Sequence, residues 1–239
     1  MIDIPMRSLQ PLDRNSILHI NKSGKNNTAS SNQNAAPASN ARTQHQAPIA
    51  KLAIPDLRRQ IQKGQKVLLD PSGSVRQIHV CLGWNVNNPK CDLDVSAFLL
   101  GANGKVLGDD WFVFYGQEDS PDRSVHFYPS AREDREYISV DFNRLNPAAQ
   151  KIVFVLTIND AFVDNLNFSM VKDAYLRILN AQTREELVSF QMTDYYANVI
   201  SMMIGEIYLY QGAWKCSAVG NGVAKDLAGL CGLYGVQVV

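Results

Sequence analysis

Short apolar segments that alternate with polar residues dominate the chain after residue 65. Ten of them are rich in Val, Ile, Tyr and Phe, as strands are. Turn signals such as Pro71-Ser-Gly73 and Asn146-Pro147 separate them. Many short strands at this spacing predict an all-β-dominated fold, a two-sheet β-sandwich. The predicted strands are 66–70, 77–84, 93–100, 111–115, 137–142, 151–158, 174–180, 186–192, 204–211 and 214–220.

Departures from alternation identify one central strand and a few helical pieces. Lys151–Ile158 is apolar on both faces, which predicts a central strand. Asn167–Asp173 and Val223–Tyr234 are predicted to be helical, the second as a C-terminal helix packed on the sandwich. A further short helix is predicted between Ile54 and Gly64, with Asp56 as its N-cap.

The first fifth of the chain has a different composition. Asn21–Ala47 contains no Val, Ile, Leu, Met or aromatic residue, so it cannot bury enough apolar surface to offset the entropy of ordering. We therefore expect a polar, disordered linker at 21–50 and one ordered domain at 62–239. Residues 1–20 include Ile17, Leu18 and Ile20, a possible short strand. They form either an unstructured leader or a short docking peptide.

Charge and hydropathy exclude several classes of protein. Lys plus Arg and Asp plus Glu both number 23, so no overall field favours nucleic acid or an anionic membrane. No segment reaches the roughly 18 apolar residues expected of a transmembrane helix, and the N-terminus lacks a secretory signal. The four cysteines are dispersed without a CxxC pair, which favours reduced, buried thiols in a cytoplasmic protein.

An ordered series of motifs runs through the domain. It begins with Lys63–Val67 and Gly83-Trp-Asn85 and continues through Asp92-Leu-Asp94 and Asp109-Asp-Trp-Phe-Val-Phe-Tyr115. The later members are Ser120-Pro-Asp122, Ile138–Asp141, Lys151–Ile158, Asn167-Phe168, Gly205–Tyr208, Trp214-Lys215, Ala218–Gly220 and Leu230–Val236. In this order and spacing the set resembles the TerD family of bacterial tellurite-resistance and stress-response proteins, over roughly residues 62–239.

That resemblance implies a function. TerD domains are described as β-sandwiches that bind Ca²⁺, take part in resistance to tellurite and other chemical stresses, and have no established catalytic activity. The resemblance implies a cytoplasmic, non-enzymatic protein that works with other proteins of the resistance system, possibly at the inner face of a membrane. Homo-oligomers are possible, and no nucleic-acid partner is expected.

The resemblance also implies candidate Ca²⁺ ligands, which are Asp92, Asp94, Asp109, Asp134 and Glu136. Ca²⁺ takes six to eight oxygen ligands, so carboxylates are the expected side chains. The sequence departs from the family at two places. The family's long acidic, Gly-rich loop is reduced to Tyr128–Glu136, which adds Arg132 and Arg135, and Gly-Trp-Asn replaces the usual Gly-Trp-Asp.

These departures leave two functions open. Either one weakened Ca²⁺ site survives on Asp92, Asp94 and Asp109, or the Asp side chains only cap turns and the domain is a metal-free scaffold or protein-interaction module. Catalysis is not expected, because neither His79 nor His126 has a recognisable catalytic motif around it. His79 and Cys81, with Cys91, fit no standard zinc spacing.

Overall fold

Two antiparallel sheets packed face to face form the domain. The computed structural model describes residues 51–129 and 133–238. One sheet has six strands in the order β1-β11-β10-β7-β3-β4, and the other has five in the order β5-β6-β2-β8-β9. The strands are β1 (Lys66–Leu68), β2 (Gln77–Val86), β3 (Leu93–Leu100), β4 (Phe112–Val113), β5 (Val125–Tyr128), β6 (Glu136–Asp141), β7 (Lys151–Ile158), β8 (Val171–Asn180), β9 (Glu186–Gln191), β10 (Ser201–Tyr210) and β11 (Ala213–Val223).

Both faces of the six-stranded sheet are covered. One face packs against the other sheet to form the main core, to which β3 contributes Val95 and Ala97. The alternate residue Phe98 points to the opposite face and joins a second core under the C-terminal helix α1 (Leu227–Tyr234). β7 lies inside this sheet between β10 and β3, so the predicted central strand is confirmed.

The β-sandwich and its C-terminal helix are as predicted, but some local details differ. The ten predicted strands omit β5, a four-residue strand that pairs with β6. Only Phe112–Val113 of the predicted strand at 111–115 is a strand. The helix expected at 167–173 is a single 3-10 turn, Phe168–Met170. The four cysteines are buried and unpaired, as expected.

Residues 51–61, here called the N-terminal strap, contain no helix and one isolated bridge, from Gln60 to Ser189, so the predicted short helix at 54–64 is wrong. The main chain of Ser189 in β9 takes the hydrogen bonds that a helix would have used. Ser189 N–H donates to the Arg59 carbonyl over 2.9 Å, and Ile61 N–H donates to the Ser189 carbonyl over 2.8 Å. The proposed segments 1–20 and 21–50 lie outside the described residues.

Asn85 holds the other end of the strap. Its amide accepts from Leu52 N–H over 2.8 Å and donates to the Leu52 carbonyl over 3.0 Å and to Asp173 Oδ2 over 3.0 Å. Asn85 is only 3% exposed. An aspartate could not make the two donated bonds and would place a second carboxylate beside Asp173. The Gly-Trp-Asn sequence therefore fits a chain whose strap is pinned at this position.

Asn85→Asp is expected to lower the free energy of unfolding by about 1–3 kcal/mol, because buried acceptors lose their donor. Chemical denaturation at pH 7.5 measures the loss, and limited proteolysis should cut the strap faster. Asn103→Asp is the matched control, since Asn103 only accepts from Lys105 N–H on an exposed turn. Equal stability of the two variants would show that Asn85 does not pin the strap.

Candidate cation site

Four carboxylates surround the side chain of Tyr115, just after β4. Burial raises the pKa of Tyr115 above its usual range, and the negative charges of Asp94, Asp92, Asp160 and Glu136 raise it further. These four carboxyl groups make the surroundings of Tyr115 acidic.

The two most buried carboxyls of this group resist ionisation. Burial, followed by the charge of Asp92, raises the pKa of Asp94 to about 7. Burial raises the pKa of Glu136 well above its usual range, and the charges of Asp94 and Asp92 add to this. The Val95 N–H, which donates to Glu136 Oε2 over 2.8 Å, opposes the shift. Either protons or another cation would relieve the repulsion.

Strand register places these groups together. Asp94 lies opposite Thr157 in the β3–β7 pairing, so the beginning of β3 meets the end of β7. The chain turns immediately after β7, where Asp160 has a φ of 48° and Asn159 N–H donates to the Asp92 carbonyl over 2.8 Å. Asp160 therefore lies at the same edge of the sandwich as Asp92 and Asp94.

A cavity of about 90 Å³ opens beside these carboxylates. We call it the acidic cavity. It lies between the outer face of β3 and β7, the turn after β7 and the first residues of α1. Its polar lining includes Asp94, Ser96, Asn159, Asp160 and Asp226. Two of its buried atoms, Ser96 Oγ and Asn159 Oδ1, have no hydrogen-bond partner.

Two of the five predicted ligands lie apart from this cluster. Asp109 Oδ1 accepts a hydrogen bond from Gln237 N–H over 2.8 Å and so fixes the segment after α1. Asp134 is buried and paired with Arg177, whose Nε and Nη2 donate to its two oxygens over 2.9 and 2.8 Å. Tyr175 also donates to Asp134 over 2.8 Å. The structure thus brings together Asp92, Asp94 and Glu136, but not Asp109 or Asp134.

The potential metal ligands at the site suit a hard cation, because they are all oxygen atoms. Two of these oxygens, Ser96 Oγ and Asn159 Oδ1, have no hydrogen-bond partner among the described residues. Within residues 51–129 and 133–238, however, no three His, Cys, Asp or Glu side chains form a ready-made metal site. The carboxylates are close enough to influence one another but do not converge on one point. A metal ion would therefore have to draw them together.

Sequence reasoning missed Ser96, Asn159, Asp160 and Asp226. The missed signal is the Asn159-Asp160 pair directly after a strand that is apolar on both faces. Polar residues that follow a central strand lie at one end of the sheet, beside the first or last residues of the neighbouring strands. Which of those residues they meet depends on the β3–β7 register, and the sequence pattern does not specify that register.

Comparison with known proteins gives the family. The TerD domain model matches residues 57–234. The chain belongs to the TerD domain family. It is 36% identical over 186 residues to a tellurium resistance protein TerD of Alcaligenes sp., covering 74% of this chain and 97% of that protein.

Two further relatives agree. The chain is 35% identical over 188 residues to general stress protein 16U of Bacillus subtilis (strain 168), covering 74% of this chain and 97% of that protein. The crystal structure of a homologue of telluride resistance protein (TerD) from Streptomyces coelicolor A3(2) matches with a TM-score of 0.50 at 17% identity, covering 70% of this chain and all of that one. This second match supports the fold alone.

No helix among the described residues of this TerD-family chain is long and apolar enough to cross a membrane.

Proposed function

We propose that this TerD-family chain is a non-enzymatic protein of resistance to tellurite or related chemical stress, and that it responds to Ca²⁺. The resistance role is supported by the names of its relatives, a tellurium resistance protein and a general stress protein. The cation response is supported by one structural observation: the carboxyl groups of Asp92, Asp94, Asp160 and Glu136 lie near Tyr115, and the charge of Asp92 raises the pKa values of Asp94 and Glu136.

Asp92, Asp94 and Glu136 would hold the ion, and the positive charge of Ca²⁺ would offset the repulsion among these carboxylates. The protein's own contribution is to desolvate Asp94 and Glu136 and to orient Glu136 through the Val95 N–H. Because Asp134 is paired with Arg177 and Asp109 with the Gln237 N–H, we propose a single site rather than two.

The chemistry of the site argues against direct capture of the stress agent. Tellurite is an anion, and a group of four carboxylates repels it. We propose that the chain acts through other proteins of the resistance system, in the cytoplasm and at the inner face of a membrane. Self-association is compatible with this role, and nucleic acid is not a proposed partner. A metal-free scaffold remains the alternative function.

Growth in tellurite tests the proposal in the cell. A strain lacking this chain is expected to grow at lower tellurite concentrations only, and the wild-type chain should restore its growth. Asp92→Asn/Asp94→Asn should restore it poorly at equal protein abundance, whereas the matched control Asp109→Asn should restore it fully. If the double variant protects as well as the wild type, resistance does not depend on the carboxylate cluster and the metal-free scaffold is favoured.

A further inference from the structure

The acidic cavity also has apolar walls, which Ca²⁺ binding would not use. Besides its polar residues, it is lined by the aromatic rings of Phe114, Tyr115 and Phe162. Phe162 lies on the turn after β7 and is 61% exposed, and the adjacent Val163 is 78% exposed. Large apolar side chains that are exposed together at the opening of a cavity are typical of ligand-binding sites.

Two buried polar atoms in this cavity have no hydrogen-bond partner among the described residues. One is Oγ of Ser96, a residue that is 2% exposed, and the other is Asn159 Oδ1. Buried polar atoms without partners lower the stability of a protein until a donor reaches them. Asn159 Oδ1 can only accept a hydrogen bond, and Ser96 Oγ can accept as well as donate, so a ligand that donates hydrogen bonds would satisfy both atoms.

The charge of the cavity lining indicates the sign of the ligand's charge. Asp94, Asp160 and Asp226 line the cavity, and none of the described Lys, Arg or His residues does. One oxygen of Asp226 already has a partner, because its Oδ1 accepts a hydrogen bond from Gly229 N–H over 2.8 Å at the start of α1. Neither Asp94 nor Asp160 has an ion pair among the described residues, so an anion is excluded and a cation is favoured.

The spread of these groups favours an organic cation over a metal ion. A divalent metal needs several oxygens at one point, whereas the described oxygens that line the cavity do not form a ready-made metal site. A primary ammonium group donates up to three hydrogen bonds in separate directions, and aromatic rings attract it as well. A cavity of about 90 Å³ holds a few non-hydrogen atoms beyond the ammonium group.

We propose that the acidic cavity binds a small primary alkylammonium ion. Its ammonium group would donate to the Asp94 and Asp160 carboxylates and to Asn159 Oδ1, and its short alkyl chain would contact Phe114 and Phe162. This inference goes beyond the proposed function, because it requires the cavity but neither Ca²⁺ nor a resistance role.

Isothermal titration calorimetry with n-butylammonium in calcium-free buffer at pH 7.5 tests the proposal. We expect saturable binding with a dissociation constant on the order of 1 mM, as for a very small ligand. Neutral 1-butanol and anionic butyrate, which have similar size, should bind at least tenfold more weakly. Equal binding of butanol, or no binding of butylammonium, would overturn the proposal.

Variants locate the binding. Asp160→Asn and the cavity-filling Ala228→Phe should each weaken butylammonium binding at least tenfold, and an unchanged unfolding midpoint verifies their fold. Asp109→Asn keeps the acceptor for Gln237 N–H and alters a carboxylate outside the cavity lining, so it should weaken amine binding less than threefold. Full binding by Asp160→Asn and Ala228→Phe would overturn the proposal. Absence of a Ca²⁺ response with intact butylammonium binding would contradict the proposed function alone.

Discussion

Replacing Arg177 by methionine is expected to lower the free energy of unfolding by about 3–5 kcal/mol. The side chains of Arg177 and Asp134 are 8% and 1% exposed, and two hydrogen bonds join them. The variant would leave a buried carboxylate whose remaining side-chain donor is Tyr175. Urea denaturation at pH 7.5, followed by tryptophan fluorescence, measures the loss.

A double variant separates the ion pair from the packing. Asp134→Leu/Arg177→Met removes both charges, so no uncompensated charge remains and the loss should be smaller than that of Arg177→Met. Arg58→Met is the matched surface control, because its ion pair with Asp56 is 77% exposed at both side chains. It should change stability by less than about 0.5 kcal/mol. Equal losses for Arg177→Met and Arg58→Met would contradict the assignment of Asp134 to a structural ion pair.

The second large effect concerns Asp94 and pH. Its pKa is about 7 in the folded protein and has an ordinary value of 3.8, so the folded state binds the proton more tightly than the unfolded state. Stability from this group is fully present below about pH 4 and is lost as the pH rises towards about 7. Asp94→Asn removes this dependence. At pH 8 without divalent cations it should be more stable than the wild type, by on the order of 2–4 kcal/mol.

Urea denaturation of both proteins from pH 5 to pH 8 in a chelating buffer provides the measurement. The gain of Asp94→Asn should be smaller at pH 5 than at pH 7 and should level off above about pH 7. Asp56→Asn, changed at an exposed carboxylate of the strap, is the matched control and should show no such growth. A constant difference between wild type and Asp94→Asn across this range would mean that Asp94 is not desolvated in the folded state.

The fold could be predicted to a large extent because its strands carry the period-2 pattern of a sandwich. Lys151–Ile158 was recognisable as a central strand because it is apolar on both faces. β5 was missed since four residues give too short a pattern. The strap was predicted as a helix because Leu57 and Ile61 are four residues apart and Asp56 can act as an N-cap. Its backbone bonds to Ser189, a contact distant in sequence, override that local preference.

The site was predictable only in part. The family resemblance implied Asp92, Asp94 and Glu136, which lie together in the structure. No local pattern distinguishes Asp134 from a metal ligand, because its role is set by Arg177 from β8, 43 residues away. Asp160 depends on the register between β3 and β7. Where a tertiary contact decides the role of a residue, composition and spacing cannot predict that role.

Calcium titration tests the central claim most directly. Isothermal calorimetry and the urea midpoint, both at pH 7.5, should show that Ca²⁺ binds the wild-type chain once and stabilises it. Asp92→Asn/Asp94→Asn should lose both effects, and Asp109→Asn should retain them. Absence of heat and of any stabilisation at millimolar Ca²⁺ in the wild type, or unchanged binding by the double variant, would contradict a calcium site on these carboxylates.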